Sequence, residues 1–140
     1  MKKAVVSFVF VGIILASCKK EQAISTARSM DVVDTSAQVK HYGQFVNGAY
    51  GTTMGSAKVL LQQSVYTLVL DSFNVSGGPD LHVYLSKEMQ PIHFIDLGRL
   101  RTTNGTQVYS IAGMPDFNEY KFALIHCQQF NHLFGYANIQ

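Results

Sequence analysis

The amino-acid sequence predicts an all-β domain, an antiparallel β-sandwich of about eight or nine short strands. Two observations lead to this fold class. Short runs of alternating apolar and polar residues recur from residue 41 onward, and Gly, Asn and Asp interrupt them at short intervals. The chain is also rich in aromatic residues that favour strands, with 9 Phe and 7 Tyr, while only 14% of its residues are charged. We find no long amphipathic helical pattern and no internal repeat.

The first residues have the pattern of a targeting segment. Lys2 and Lys3 precede the apolar run Ala4–Leu15, which is shorter than the roughly 20 residues that a membrane-spanning helix needs. The run ends in Leu-Ala-Ser-Cys at residues 15–18, which resembles the lipobox of bacterial lipoproteins. The resemblance implies cleavage before Cys18 and acylation of its sulfur. A plain secretory signal with a chance cysteine is the alternative.

Three segments are therefore predicted. Residues 1–17 are a lipoprotein signal peptide, residues 18–40 are the lipidated cysteine and a flexible polar tether, and residues 41–140 are the folded β-sandwich domain. Each acyl chain contributes about 0.8 kcal/mol per buried methylene group, so two chains anchor a protein stably. We expect a protein of the bacterial cell envelope, anchored to membrane lipid outside the cytoplasm through Cys18.

Charge excludes one class of partner. The chain has 11 Lys and Arg against 9 Asp and Glu, and cleavage of the signal peptide would remove Lys2 and Lys3 and leave nine of each. No basic patch accompanies this balance, so no nucleic-acid binding is predicted.

The predicted strands are short and separated by turn residues. In chain order they are His41–Val46, Ala57–Gln62, Val65–Phe73, Leu81–Ser86, the two extended pieces Ile92–Asp96 and Leu97–Leu100, Gln107–Ile111, Phe122–Cys127 and Leu133–Ile139. The side chains expected to be largely buried are Leu68, Leu70, Leu81, Val83, Leu85, Tyr109, Ile111, Leu124 and Ile125.

Three connections carry turn chemistry. The strands on either side of Gln62–Ser64 are predicted to pair across it. Ser76–Asp80 combines two glycines, which permit positive φ, with Pro79, which fixes its own φ. Thr103–Thr106 contains Asn-Gly, a strong hairpin signal, and predicts a hairpin turn leading into Gln107–Ile111.

The run from Phe122 to Cys127 is predicted to be a strand covered on both sides, because both of its faces are largely apolar. One face carries Phe122, Leu124 and His126, and the other carries Ala123, Ile125 and Cys127. In the next strand Gly135 predicts a bulge or a close approach of another backbone.

Cys127 is the first candidate for chemistry. If Cys18 is acylated, Cys127 has no intramolecular partner and is a buried thiol, an intermolecular disulfide or a reactive group. The simplest interpretation is a small buried hydrophobic residue. A reactive thiol needs electropositive, partly exposed surroundings, and only His126 and His132 are near enough in the chain to provide them.

The histidines do not predict a metal site. No pair has the i, i+4 spacing of a helical metal motif, and the adjacent His126 and Cys127 point to opposite faces of a strand. Solvent-facing or hydrogen-bonded strand histidines are the favoured interpretation of all five, which are His41, His82, His93, His126 and His132. The chain also lacks the Gly-x-Ser-x-Gly motif and paired carboxylates of hydrolases. A redox or binding module is therefore favoured over a stand-alone enzyme.

Several blocks in the same order resemble the DM13 domain family, over about residues 42–139. Gly78–Ser86, Gly-Pro-Asp-Leu-His-Val-Tyr-Leu-Ser, is similar to the family's GPDLxVYLS segment. The further similar blocks are Gly43-x-Phe45, Asp96–Leu100, Gly105–Ile111, Ile125-His126-Cys127-x-x-Phe130 and Phe134–Ala137.

The resemblance implies an extracytoplasmic electron-transfer domain with an unidentified redox partner protein. It also implies that Cys127 acts as a bare redox thiol or as a ligand to a prosthetic group such as haem. The sequence departs from the family at two places: His126 replaces an aromatic residue, often Trp, and the loop Asn47–Gly55 lacks a histidine, with Tyr50 nearest. The alternative function is a non-catalytic binding or scaffold domain displayed on a lipid tether.

Overall fold

The computed structural model describes residues 31–140, which form eight antiparallel strands. The predicted all-β antiparallel fold is confirmed. No helix in residues 31–140 is long and apolar enough to cross a membrane. The predicted signal peptide and Cys18 lie outside the described residues. The strands are β1 Gln38–Asn47, β2 Thr53–Gln62, β3 Val65–Val75, β4 Leu81–Ser86, β5 Phe94–Arg99, β6 Asn104–Ile111, β7 Phe122–Cys127 and β8 His132–Asn138.

The strands follow the spatial order β5-β4-β7-β8-β1-β2-β3-β6. β1 joins the two halves of this order, because its residues 38–44 pair with β2 and its residues 45–47 pair with β8. One half is therefore β1-β2-β3-β6, and the other, which we call the β7 sheet, is β5-β4-β7-β8 with the end of β1. The inner faces of both halves supply one continuous apolar core.

All nine side chains predicted to be buried are less than 9% exposed. β7 is covered on both faces, as its two apolar faces predicted. A second, smaller cluster lies on the outer face of the β7 sheet, formed by Tyr84, Leu124 and Leu133 with Phe122 and Tyr136 at its margin. The domain thus buries apolar groups on both sides of β7.

β8 contains the bulge that Gly135 predicted, and the neighbour that approaches Gly135 closely is a side chain rather than another backbone. Ile125 pairs with Gly135 while the next residue, His126, pairs with Leu133, so Phe134 is an extra residue that makes a bulge. A Cβ atom on Gly135 would lie 2.2 Å from Oγ1 of Thr53 on β2. The Thr53 hydroxyl donates a buried hydrogen bond to the carbonyl of Phe134, at 2.8 Å. Gly135 therefore permits the two halves of the fold to approach closely.

The hairpin turn predicted at Asn104-Gly105 is wrong. Both residues lie inside β6, opposite Asn74 and Phe73 of β3. Gly105 has a φ of 95°, and Ser72 of β3, at φ 51°, lies at a break in the register between the two strands. The local hairpin signal instead marks an irregular stretch of strand pairing.

Two boundaries also differ from the predicted ones. The extended pieces Ile92–Asp96 and Leu97–Leu100 form one strand, β5, in which Leu97 is a bulged residue next to Gly98 at φ 114°. The described residues before His41 also contact the domain, and β1 begins at Gln38. The Asp31 carboxylate accepts a hydrogen bond from the Val108 amide of β6, at 2.8 Å, and forms an ion pair with Arg101.

We predict that Gly135→Ala destabilises the domain by about 1–3 kcal/mol, because the new methyl group must displace Thr53 from its contact with β8. Chemical denaturation of the full chain, followed by circular dichroism, measures this change. Gly77→Ala is the matched control, since a Cβ atom at Gly77 meets nothing within 4 Å. Equal stability of the two variants would show that the close approach at Gly135 is not needed.

Candidate functional site

Cys127 is the last residue of β7 and faces the core. It pairs with Leu81 of β4 on one side and His132 of β8 on the other, and it is 0% exposed. Its neighbours in the main core cluster are apolar residues of both halves, and Cys127 is a free thiol. The structure therefore places this candidate redox residue inside the core, away from solvent.

The surroundings of Cys127 do not fit a large prosthetic group bound through its sulfur. Among residues 31–140, Cys127 lines none of five surface pockets of about 180 to 360 Å³. Nor does this part of the chain contain a cluster of three or more His, Cys, Asp or Glu residues that could hold a metal ion. Haem ligation by Cys127 would require the core to open.

His126 precedes Cys127 and points to the opposite face of the β7 sheet. It is 3% exposed and lies directly across from His82 of β4. The ring of Tyr84 covers it, with the two ring centroids 5.5 Å apart. The period of two along β7 thus separates the two side chains that could carry chemistry.

Neither ring nitrogen of His126 has a hydrogen-bond partner. Within residues 31–140 these are the only buried side-chain polar atoms without a hydrogen-bond partner. Gln107, another buried polar residue, shows the usual arrangement: its amide accepts a hydrogen bond from the Tyr109 hydroxyl at 2.9 Å and donates one to the Thr102 carbonyl at 2.9 Å. Leaving a buried polar group unpaired costs about 1–3 kcal/mol, so the position of His126 is unfavourable for stability.

Burial lowers the pKa of His126 below its usual 6.5, because loss of hydration disfavours the charged imidazolium. The adjacent Asn131 side chain opposes this effect without forming a hydrogen bond, and the nearby His132 and His82 reinforce it. His126 is consequently a neutral imidazole near neutral pH, with one nitrogen that can donate and one that can accept a hydrogen bond.

His126 lines an open pocket of about 240 Å³ that we call the β7 pocket. Its other lining residues are Tyr84, Pro91, Phe94, Gln128 and Asn131. They come from β4, from the connection between β4 and β5, from the start of β5, and from the turn after β7. Tyr84 and Phe94 stack on each other with ring centroids 4.3 Å apart. The pocket therefore combines aromatic walls with amide and imidazole groups.

A charged cluster lies beside the β7 pocket. His82 Nδ1 is 3.0 Å from Oδ2 of Asp96, and its Nε2 is 3.5 Å from Oδ1 of Asp80. A hydrogen bond from Arg99 lowers the pKa of Asp80. Gln128 Nε2 donates to Asp96 at 3.3 Å, which links this cluster to the pocket. The cluster fixes the position of the Gln128 amide at the pocket wall.

Comparison with known families identifies the chain. The family described as Electron transfer DM13 matches residues 44–139, which is more than half of the sequence. The chain belongs to the DM13 family. The comparisons with curated proteins and with solved structures gave no match.

The predicted solvent-facing or hydrogen-bonded state of the strand histidines is wrong for His126 of this DM13 domain, which is buried and has no hydrogen-bond partner. Cys127 lies in the core, and His126 lines the β7 pocket. Tyr50, in the loop before β2, stacks on His132 with ring centroids 3.6 Å apart. Sequence reasoning missed the β7 pocket. The one sequence feature that points to this pocket is a histidine in a strand whose other residues are apolar.

We predict that His126→Phe leaves the free energy of unfolding unchanged or raises it by up to about 1 kcal/mol, because the aromatic ring is kept and two unpaired nitrogens are removed. Below pH 6.5 the unfolded chain binds a proton at His126 more readily than the folded domain does. The wild type therefore loses stability as the pH falls, and the advantage of the variant grows by at most about 1.4 kcal/mol per pH unit.

Denaturant unfolding of the full chain between pH 5 and pH 8 checks this prediction. The matched control is His41→Phe, because His41 is only partly buried and stacks on Phe117 outside the β7 pocket. The control is expected to change stability by less than about 0.5 kcal/mol. A marked loss of stability in His126→Phe at pH 8 would show that the imidazole has partners in the native state.

Proposed function

We propose that this DM13 protein is an electron-transfer module of the bacterial cell envelope, tethered to a membrane through acylated Cys18, with Cys127 as its redox residue. The observation that carries the proposal is the match to the Electron transfer DM13 family over residues 44–139, a range that includes Cys127. The N-terminal order of two lysines, an apolar run and Leu-Ala-Ser-Cys supports the lipid tether.

Burial limits the chemistry that is open to Cys127. A mixed disulfide with a partner's cysteine requires the sulfur to reach the surface, and Cys127 is 0% exposed. One-electron oxidation would convert the thiol to a thiyl radical. The electron would pass to an oxidised partner protein without contact at the sulfur, and the proton would leave to solvent when the end of β7 opens. Cys127 is the last residue of β7, so the turn Gln128–Asn131 is the shortest path along the chain from this residue to the surface. We propose this end of the domain as the place where the partner docks.

A second candidate function is a non-catalytic binding domain on the same lipid tether. The specific observation in its favour is again the burial of Cys127 among apolar side chains, which is the environment of an inert cysteine. The β7 pocket adds a place where such a domain could hold a ligand. The two functions make opposite predictions for a Cys127 variant.

We predict that the full chain shows an oxidation wave in protein-film voltammetry and that Cys127→Ala abolishes it. The same substitution removes one buried sulfur atom and should cost only about 1 kcal/mol of stability. Val83→Ala is the matched control, because Val83 is 0% exposed in the same core cluster and the change also removes core volume. This control is expected to keep the wave.

Alkylation separates the two kinds of thiol chemistry. An iodoacetamide label is expected to reach Cys127 only after unfolding, as its burial requires. Rapid labelling of the folded protein would instead favour a mixed disulfide with a partner. Wild type and Cys127→Ala with identical voltammograms would contradict the redox proposal and leave the binding domain.

The tether is tested by metabolic labelling of the host bacterium with a fatty-acid analogue. We predict that the wild-type protein is labelled and that Cys18→Ser gives an unlabelled, uncleaved precursor, because the acylated sulfur is missing. Cys127→Ala should be labelled like the wild type. Equal labelling of wild type and Cys18→Ser would contradict the lipid tether.

A further inference from the structure

The β7 pocket has the properties of a ligand site in its own right. His126 at its floor is 3% exposed and has two unpaired ring nitrogens. All the other buried side-chain polar atoms of residues 31–140 have hydrogen-bond partners. Within this range the domain therefore satisfies its buried polar side chains everywhere except at His126. A ligand that hydrogen-bonds to the imidazole would remove this unfavourable state.

The walls of the pocket select for a flat apolar body. Tyr84 and Phe94 stack at 4.3 Å, and Pro91 adds a third apolar surface. Phe94 is 39% exposed, so part of this apolar wall is open to solvent. Aromatic surfaces of this kind favour an aromatic ring as the bound group.

The polar groups of the pocket select for an uncharged ligand. Its only polar side chains besides His126 and the Tyr84 hydroxyl are the amides of Gln128 and Asn131, and none of the lining residues is Lys, Arg, Asp or Glu. Burial raises the pKa of Tyr84, so its phenol remains protonated and can donate a hydrogen bond. An acid would find no cation among these side chains, and the Asp96 carboxylate beside them already contacts His82 and accepts a hydrogen bond from Gln128.

Access to the imidazole depends on the turn after β7. Asn131 has a φ of 54° and an exposed side chain that lies next to the His126 ring. Rotation of this exposed amide requires no change in the core. The hydroxyl of a ligand can then take its place against His126.

We propose that the β7 pocket binds a small uncharged aromatic ring that carries hydroxyl groups, of the phenol or hydroquinone class. The ring packs against the stacked pair of Tyr84 and Phe94 while a hydroxyl exchanges hydrogen bonds with His126 and the neighbouring amides. The site lies on the opposite face of β7 from Cys127, so it neither requires nor uses the redox activity proposed for that residue.

The test is a saturation-transfer NMR titration of the full chain in detergent at pH 7.5. The probes are 1,4-dihydroxybenzene, its dimethyl ether, which cannot donate a hydrogen bond, and toluene. We expect the dihydroxybenzene to bind at least about tenfold more tightly than toluene, since two hydrogen bonds of ordinary strength correspond to roughly that factor. The dimethyl ether should fall between the two.

His126→Phe keeps the aromatic floor and removes the nitrogens. We expect it to weaken binding of the dihydroxybenzene about tenfold and leave toluene binding within twofold. His41→Phe, outside the pocket, should change neither. If the His126 variant does not fold, the order of the three probes on the wild type still decides the matter.

Three results would overturn the proposal. The first is no saturable binding of the dihydroxybenzene, and the second is equal affinity for all three probes. The third is a His126-dependent uptake of Zn²⁺ or Cu²⁺ without binding of the dihydroxybenzene, which would make His126 a metal ligand. Loss of the voltammetric wave in Cys127→Ala affects none of these outcomes.

Discussion

The cover on both faces of β7 is the constraint on which the arrangement of this domain depends. β7 lies between β4 and β8, and five of its six residues are buried. In a strand with one solvent-exposed face, a polar residue next to a core cysteine would point to solvent. Here both neighbours are enclosed: Cys127 faces the main core and His126 faces the smaller outer cluster. A thiol and an imidazole, buried in different surroundings, therefore occupy adjacent positions in β7.

The two enclosed residues differ in what their surroundings provide. The core around Cys127 is apolar and offers the thiol no charged neighbour. The outer face around His126 is partly open and contains amides, a phenol and the charged cluster of Asp80, His82 and Asp96. An electron can leave a buried thiol without a channel, whereas a ligand needs an opening. The two proposals therefore use opposite sides of β7: electron transfer by Cys127 uses the inner side, and ligand binding uses the outer side.

Much of this arrangement follows from the sequence. Alternation along Phe122–Cys127 predicted that Cys127 and His126 point to opposite faces of a strand covered on both sides, and Gly135 predicted the bulge in β8. The turn at Gln62–Ser64 was predicted as well, and Gln63 and Ser64 have the positive φ values that a tight hairpin needs.

Other features depend on contacts that are distant in the chain. The Asn104-Gly105 signal is local, and pairing of β6 with β3 overrides it. The β7 pocket needs Pro91 and Phe94 to meet Gln128 and Asn131, some 35 residues apart in the sequence, and no local pattern reports this. The missing partners of His126 are equally invisible, because a strand histidine usually finds a hydrogen bond.

The central claim of this account is that His126 is a buried, neutral and unpartnered imidazole. A pH titration of the histidine ring nitrogens by NMR, on the full chain labelled with ¹⁵N, tests it most directly. The account predicts that the His126 signals keep the shifts of a neutral ring below pH 6.5, and that neither nitrogen shows a coupling across a hydrogen bond. A His126 midpoint at or above pH 6.5, or a hydrogen-bonded ring nitrogen in the ligand-free protein, would contradict it.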